Sequence, residues 1–154
     1  MRTINTLVIH CAATPNGYGK YTIRDIDAWH ASRGFRRDVE HLEYNPTLPY
    51  IGYHGIIDCN GVLWAGRGED EIGQHAVGLN ATSLGYCLMG TDKFTAAQWG
   101  ALRDLIEDHQ NRYDTEDFKL NIIGHEVVSN KTCPGFDVSV WLAGGMEPLQ
   151  EHLL

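Results

Sequence analysis

The sequence is short of positive charge: 12 Lys and Arg stand against 20 Asp and Glu, a formal net charge of −8. General nucleic-acid binding needs a basic footprint that displaces phosphate counterions, so this balance argues against it. Long apolar runs are also missing. Near the N-terminus the longest is Leu7-Val8-Ile9, far short of a signal-peptide core or a membrane span. No export signal is visible and no membrane insertion is expected, which points to synthesis in a cytoplasm. The cysteines Cys11, Cys59, Cys87 and Cys133 are scattered without a CxxC pair, which excludes a disulfide scaffold and suggests reduced thiols. What remains is ordinary globular material, 154 residues at 43% hydrophobic and 21% charged, enough for one self-sufficient core.

Secondary structure can be read from local signals. Ile4 to His10 is a short β-branched run that opens into Ala12-Ala13-Thr14-Pro15, a core strand entering a loop. Thr22 caps a helix in which Ile23, Ile26, Trp29 and His30 recur at helical spacing until Gly34. Residues 36 to 51, with Asn45-Pro46 and Leu48-Pro49, sustain no period and read as a surface loop. Asn60-Gly61 between two strand-like runs predicts a hairpin with a type I′ turn. Residues 66 to 82 read as a second exposed loop, and residues 84 to 89 as a buried strand. Thr95 with Gln98 forms a capping box ahead of a long helix over about residues 96 to 112. A last strand at 120 to 124 and a short helix capped by Asp137 complete the pattern. The expected class is α/β, with a central mixed β-sheet flanked by helices and residues 1 to 154 forming a single catalytic domain.

Of the eight histidines, His30, His41, His109 and His152 sit without partners at metal-ligand spacing and read as structural. His10 ends a core strand and His125 follows another. Strand ends that open into loops are where an α/β sheet presents groups to a ligand. Cys133 lies in a polar loop rather than an apolar run. Two imidazoles and a thiolate make a three-ligand zinc set that leaves a vertex open, the mark of a catalytic site. Spacing alone does not separate this from three unconnected residues, and His125-Glu126-Val127-Val128-Ser129 is not the HExxH of helical metalloproteases. Cys11 should point away from the face that carries His10. In an extended stretch Lys131 would project beside Cys133.

The motifs resemble one family. His10-Cys11-Ala12-Ala13-Thr14, Trp29-His30, Gly52-Tyr53-His54, Ala65-Gly66-Arg67, His75-Ala76 with Asn80, Ser83-Leu84-Gly85, Gly124-His125-Glu126 and Lys131 with Cys133-Pro134-Gly135 occur in an order similar to that of the type-2 N-acetylmuramoyl-L-alanine amidases. That family includes phage endolysins, wall-recycling amidases and peptidoglycan recognition proteins. The resemblance spans about residues 4 to 142. It implies zinc held by His10, His125 and Cys133, catalytic side chains Tyr53 and Lys131, and a groove walled by the loop bearing His75 and Asn80. The implied reaction is hydrolysis of the amide between the lactyl group of N-acetylmuramic acid and L-alanine in peptidoglycan, which makes that polymer the expected partner. Residues 36 to 51 depart from compact members, which pass almost directly from the first helix to the Gly-Tyr-His strand.

Such a site needs an activated nucleophile and stabilisation of an oxyanion. Lys131 is expected to stabilise the oxyanion, and Tyr53 to hydrogen-bond at the reacting centre. Arg67 could meet a stem-peptide carboxylate or brace the hairpin, with the brace favoured. Glu126 is given no role. Two other readings compete: a non-hydrolytic binding module of the same fold, and a metal-free cysteine hydrolase using Cys133 with His125. The expected setting is a phage or prophage endolysin made in the bacterial cytoplasm and acting at the cell wall.

Overall fold

The computed structural model describes residues 2–154. Strand β1 (Thr6–Cys11) is followed by helix α1 (Ile23–Ser32), the hairpin strands β2 (Gly55–Ile57) and β3 (Leu63–Ala65), and strand β4 (Ser83–Leu88). Helix α2 (Ala96–Tyr113), strand β5 (Asn121–Gly124) and helix α3 (Val138–Ala143) complete the order. The five strands form one sheet in the order β3-β2-β4-β1-β5. β1 runs parallel to β4 and β5, β2 runs parallel to β4, and only β3 is antiparallel. The sheet is therefore mixed, as expected from the sequence.

Alternation along the strands divides the interior in two. Leu7, Ile9, Leu84, Tyr86 and Leu88 face α2 and α3, where they pack with Trp99, Leu102, Ile106 and Trp141. On the other face Ile56, Cys87 and Met89 pack with Ile26 of α1 and with Leu48 and Ile51. A sheet of mostly parallel strands covered on both sides needs such near-continuous apolar runs. His10 pairs in register with Cys87, which places the imidazole on the α1 face.

The helix starts were legible because their caps are local. At Thr22 and Thr95 the side chain accepts an N–H of the first turn, and Asp25 and Gln98 reach back to the cap, so both helices begin with complete capping boxes. No helix among the described residues is long and apolar enough to cross a membrane.

The structure corrects three local expectations. The hairpin turn is not type I′, because only Gly61 has a positive φ (79°). Asp58 takes the N–H groups of Asn60 and Val62 on its carboxylate, while Gly61 N–H bonds the Asp58 carbonyl and Asp58 N–H bonds the Val62 carbonyl. This is the three-residue loop in which a right-handed turn is closed by one left-handed glycine. Residues 36 to 51 are not a plain surface loop. They contain a 3₁₀ turn (Val39–Tyr44), and Arg37, Leu48 and Ile51 are buried. Residues 66 to 82 are likewise only partly exposed, since Arg67, Glu71 and Ala76 lie inside.

One charge cluster ties these two segments together. Arg37 binds both oxygens of Glu71, with its Nη2 2.8 Å from Oε1 and its Nε 2.9 Å from Oε2. It also donates to the carbonyls of His41, Asn45 and Leu48, so one guanidinium organises the inserted segment from within.

Candidate metal centre and active site

The residues singled out at the strand ends converge. Ligand atoms from His10, His125 and Cys133 all lie within 4.8 Å of one another. His10 is positioned by β1, which lies between the parallel strands β4 and β5. His125 begins the 3₁₀ turn that follows β5, and Cys133 is drawn in by a 2.7 Å bond from Glu126 N–H to its carbonyl. The His10 and His125 rings stand 4.5 Å apart between centroids.

The donor set fits zinc. Zinc–nitrogen and zinc–sulfur bonds of about 2.1 and about 2.3 Å at a tetrahedral angle put nitrogen and sulfur about 3.6 Å apart. His10 Nδ1 and Cys133 Sγ are 3.7 Å apart. Burial, then the neighbouring His75, His125 and Lys131, holds the His10 imidazole well below its ordinary pKa. Burial and Lys131 also lower that of His125. Both rings are thus neutral near pH 7, the form that ligates. Cys11 packs its side chain toward the α2 core and is not one of the converging donors, but its backbone N–H donates to Cys133 Sγ at 3.1 Å. Such a bond favours an anionic sulfur, but the neighbouring Cys11 side chain and burial together push the Cys133 thiol well above its ordinary pKa, so the sulfur keeps its proton until a metal displaces it. Asp38, Glu40 and His41 also come within ligand spacing of one another. They lie on a surface turn where both carboxylates are exposed, an arrangement acidic groups adopt without an ion.

Tyr53 packs its ring 5.0 Å from that of His10 and 5.2 Å from that of His30. Burial, then the Cys87 and Cys133 thiols, raises its hydroxyl well above the ordinary phenol pKa, so it stays protonated. Lys131 is exposed and carries its charge close enough to act on both His10 and His125. Glu126 folds its carboxylate against Gly124, where a Cβ would lie 2.1 Å from Oε2, and that oxygen has no hydrogen-bond partner.

The expected groove residues are placed differently. Arg67 is 5% exposed, and its Nε, Nη1 and Nη2 donate to the carbonyls of Ile51, Ile72 and Arg36. The guanidinium braces the inserted segment beside Glu71, in line with the favoured of its two readings and against the substrate-binding alternative, since it is not offered to a substrate carboxylate. Asn80 uses Oδ1 to accept the N–H groups of His75 and Ala76, so it shapes its own loop. His75 turns its ring inward, with Nδ1 2.9 Å from His10 Nε2. The contacts of Ser83 Oγ with the His75 ring and of the Cys11 N–H with Cys133 Sγ were not anticipated, because an alternating strand pattern does not say which neighbour a group meets across the sheet.

A family model described as N-acetylmuramoyl-L-alanine amidase matches residues 1–136. The chain belongs to this amidase family. An endolysin of Enterobacteria phage K11 is 32% identical over 145 residues, covering 89% of this chain and 84% of the endolysin. The N-acetylmuramoyl-L-alanine amidase LysC from Clostridium intestinale URNW shares the fold with a TM-score of 0.72 at 24% identity, over 95% of this chain and 88% of LysC. A mutant of Drosophila PGRP-LB in complex with tracheal cytotoxin aligns with a TM-score of 0.71 at 22% identity, over all of this chain and 85% of the other.

Around the amidase site the supporting histidines are fixed in neutral form. His54 accepts the Gly85 N–H on Nδ1 and donates from Nε2 to the Glu71 carbonyl, while His30 Nδ1 accepts the Gly52 N–H. Burial pushes each down to about 4. The unfolded chain therefore binds more protons than the native one between about pH 6.5 and 4, and stability should fall as the pH drops through that window. Each group accounts for on the order of 3 kcal/mol when fully titrated. Urea unfolding of the metal-free protein at pH 7, 6 and 5 is expected to show a steadily falling midpoint, and an unchanged midpoint would contradict it.

Proposed function

We propose that this chain cleaves the amide between the lactyl group of N-acetylmuramic acid and L-alanine, using zinc held by His10, His125 and Cys133. We further propose that residues 1 to 154 act as a single catalytic domain of a phage or prophage endolysin, made in the cytoplasm and acting at the wall. The observation that carries the reading is the convergence of two neutral imidazoles and a thiol from three distant segments at zinc spacing. Family membership supplies the reaction, and the chain covers most of the length of the phage endolysin it matches.

When bound, the metal supplies Lewis acidity, acidifying water and polarising an amide carbonyl. The remaining work falls to side chains. His10 and His125 offer lone pairs without first losing a proton. The Cys11 N–H supports charge on Cys133 Sγ. Lys131 brings a positive charge to the side of the site where the amide oxygen becomes anionic. Tyr53, packed against His10, hydrogen-bonds at the reacting centre. The acidic surface does not attract an anionic polymer, so binding rests on local contacts in the groove.

Lys131→Ala is expected to lower kcat about 10²- to 10³-fold, the scale of one lost oxyanion donor. Metal content and unfolding temperature should not change, and undiminished turnover would remove Lys131 from the site. The reaction itself is tested by mass spectrometry of fragments from purified sacculi, with and without chelator. Free lactyl-muramic ends with peptides starting in L-alanine, lost with chelator and restored by zinc, are expected. Cleaved glycan strands would refute amide hydrolysis, and chelator-resistant cleavage blocked by thiol alkylation would favour the cysteine-hydrolase reading.

A further inference from the structure

We infer that His75 is a positioning residue for the metal: its Nδ1 accepts the Nε2 hydrogen of His10, which leaves His10 Nδ1 as the ligating nitrogen. This rests on the zinc reading above and extends it beyond the ligands. The tautomers follow from one constraint. A neutral imidazole carries a single N–H, and His10 Nδ1 faces Cys133 Sγ at 3.7 Å. If that nitrogen keeps its lone pair for the metal, the hydrogen must sit on Nε2, 2.9 Å from His75 Nδ1. His75 Nδ1 must then be an acceptor, which puts its own hydrogen on Nε2, where Ser83 Oγ lies at 3.3 Å. Ser83 is fully buried at the start of β4, so the relay ends on the rigid sheet.

The ring is held in place from several sides. It lies over Gly85, where a Cβ would come within 2.5 Å of Cγ and Nδ1. A Cβ at Gly73 would meet Cδ2 at 2.7 Å. Asn80 Oδ1 accepts the backbone N–H groups of both His75 and Ala76, fixing the loop from which the ring projects. The ring also meets His10 edge-on, with centroids 5.0 Å apart. Two side-chain-free positions, a capped loop and a strand hydroxyl thus converge on one imidazole whose contact is the back of a proposed ligand. A residue reading substrate in the groove would need none of this enclosure.

Outer partners that fix the tautomer and orientation of a ligating histidine are worth about 10- to 100-fold in metal affinity. His75→Phe keeps the bulk of the ring without an acceptor, while His75→Gln keeps an acceptor. Zinc affinity measured by competition with a chromophoric chelator should fall about 10- to 100-fold in the Phe variant and recover at least in part in the Gln variant. The cobalt-substituted Phe variant should show an altered visible absorption band, and KM for muropeptide at saturating zinc should be unchanged in both variants. Thermal unfolding of the metal-free proteins checks that each variant is folded. Wild-type zinc affinity in a folded Phe variant, or a change confined to KM, would overturn the inference alone. A wild-type chain that binds no zinc would overturn the zinc reading with it.

Discussion

Cys133→Ala is expected to remove stoichiometric zinc and to lower amidase turnover by at least about a thousandfold, with the fold intact. The size follows from what is lost together. The metal contributes several kcal/mol of charge stabilisation and generates the nucleophile, and each tenfold in rate is about 1.4 kcal/mol. With zinc bound, Cys133 would be the anionic ligand of the trio, so its loss would remove both a ligand and the charge that the Cys11 N–H is placed to support. The side chain is only half-buried, and its replacement should leave both core clusters undisturbed. Metal content by mass spectrometry under native conditions, alongside turnover on muropeptide, checks the pair. Full zinc occupancy in Cys133→Ala would show that the sulfur is not a ligand.

The second large effect concerns stability. Arg37→Met should destabilise the fold by about 3–5 kcal/mol, the usual result of stripping one partner from a buried ion pair. The Arg37 and Glu71 side chains are 0% and 3% exposed, so Glu71 would keep a buried charge with only Arg67 Nε, 3.3 Å from Oε2, to offset it. The carbonyls of His41, Asn45 and Leu48 would lose their donor at the same time. Such a loss is a large part of the 5–15 kcal/mol that holds a typical domain together. Denaturant unfolding measures it directly, and a loss below about 1 kcal/mol would mean that the inserted segment is held by Leu48 and Ile51 rather than by charge.

These two cases mark where the sequence was readable. Helix starts at Thr22 and Thr95, the long period of α2 and the strand ends at His10 and His125 are local or periodic signals, and the structure places them as expected. Arg37 gave no such signal, because an arginine in an aperiodic stretch reads as solvated until its carboxylate, 34 residues away, is known. Arg67 and His75 show the same limit. Their motif positions were visible, but whether a side chain faces the groove or the scaffold depends on which carbonyl or ring lies opposite. Asn60-Gly61 misled for a different reason: its turn type was decided by the Asp58 carboxylate two residues earlier, which captured the Asn60 N–H.

Zinc K-edge absorption on the purified, metal-loaded protein bears most directly on the proposed centre. The ligand set predicts one sulfur at about 2.3 Å and two imidazole nitrogens at about 2.0–2.1 Å, the remaining coordination being light atoms from solvent. A spectrum with no sulfur, or with a single imidazole, would contradict a metal held jointly by His10, His125 and Cys133.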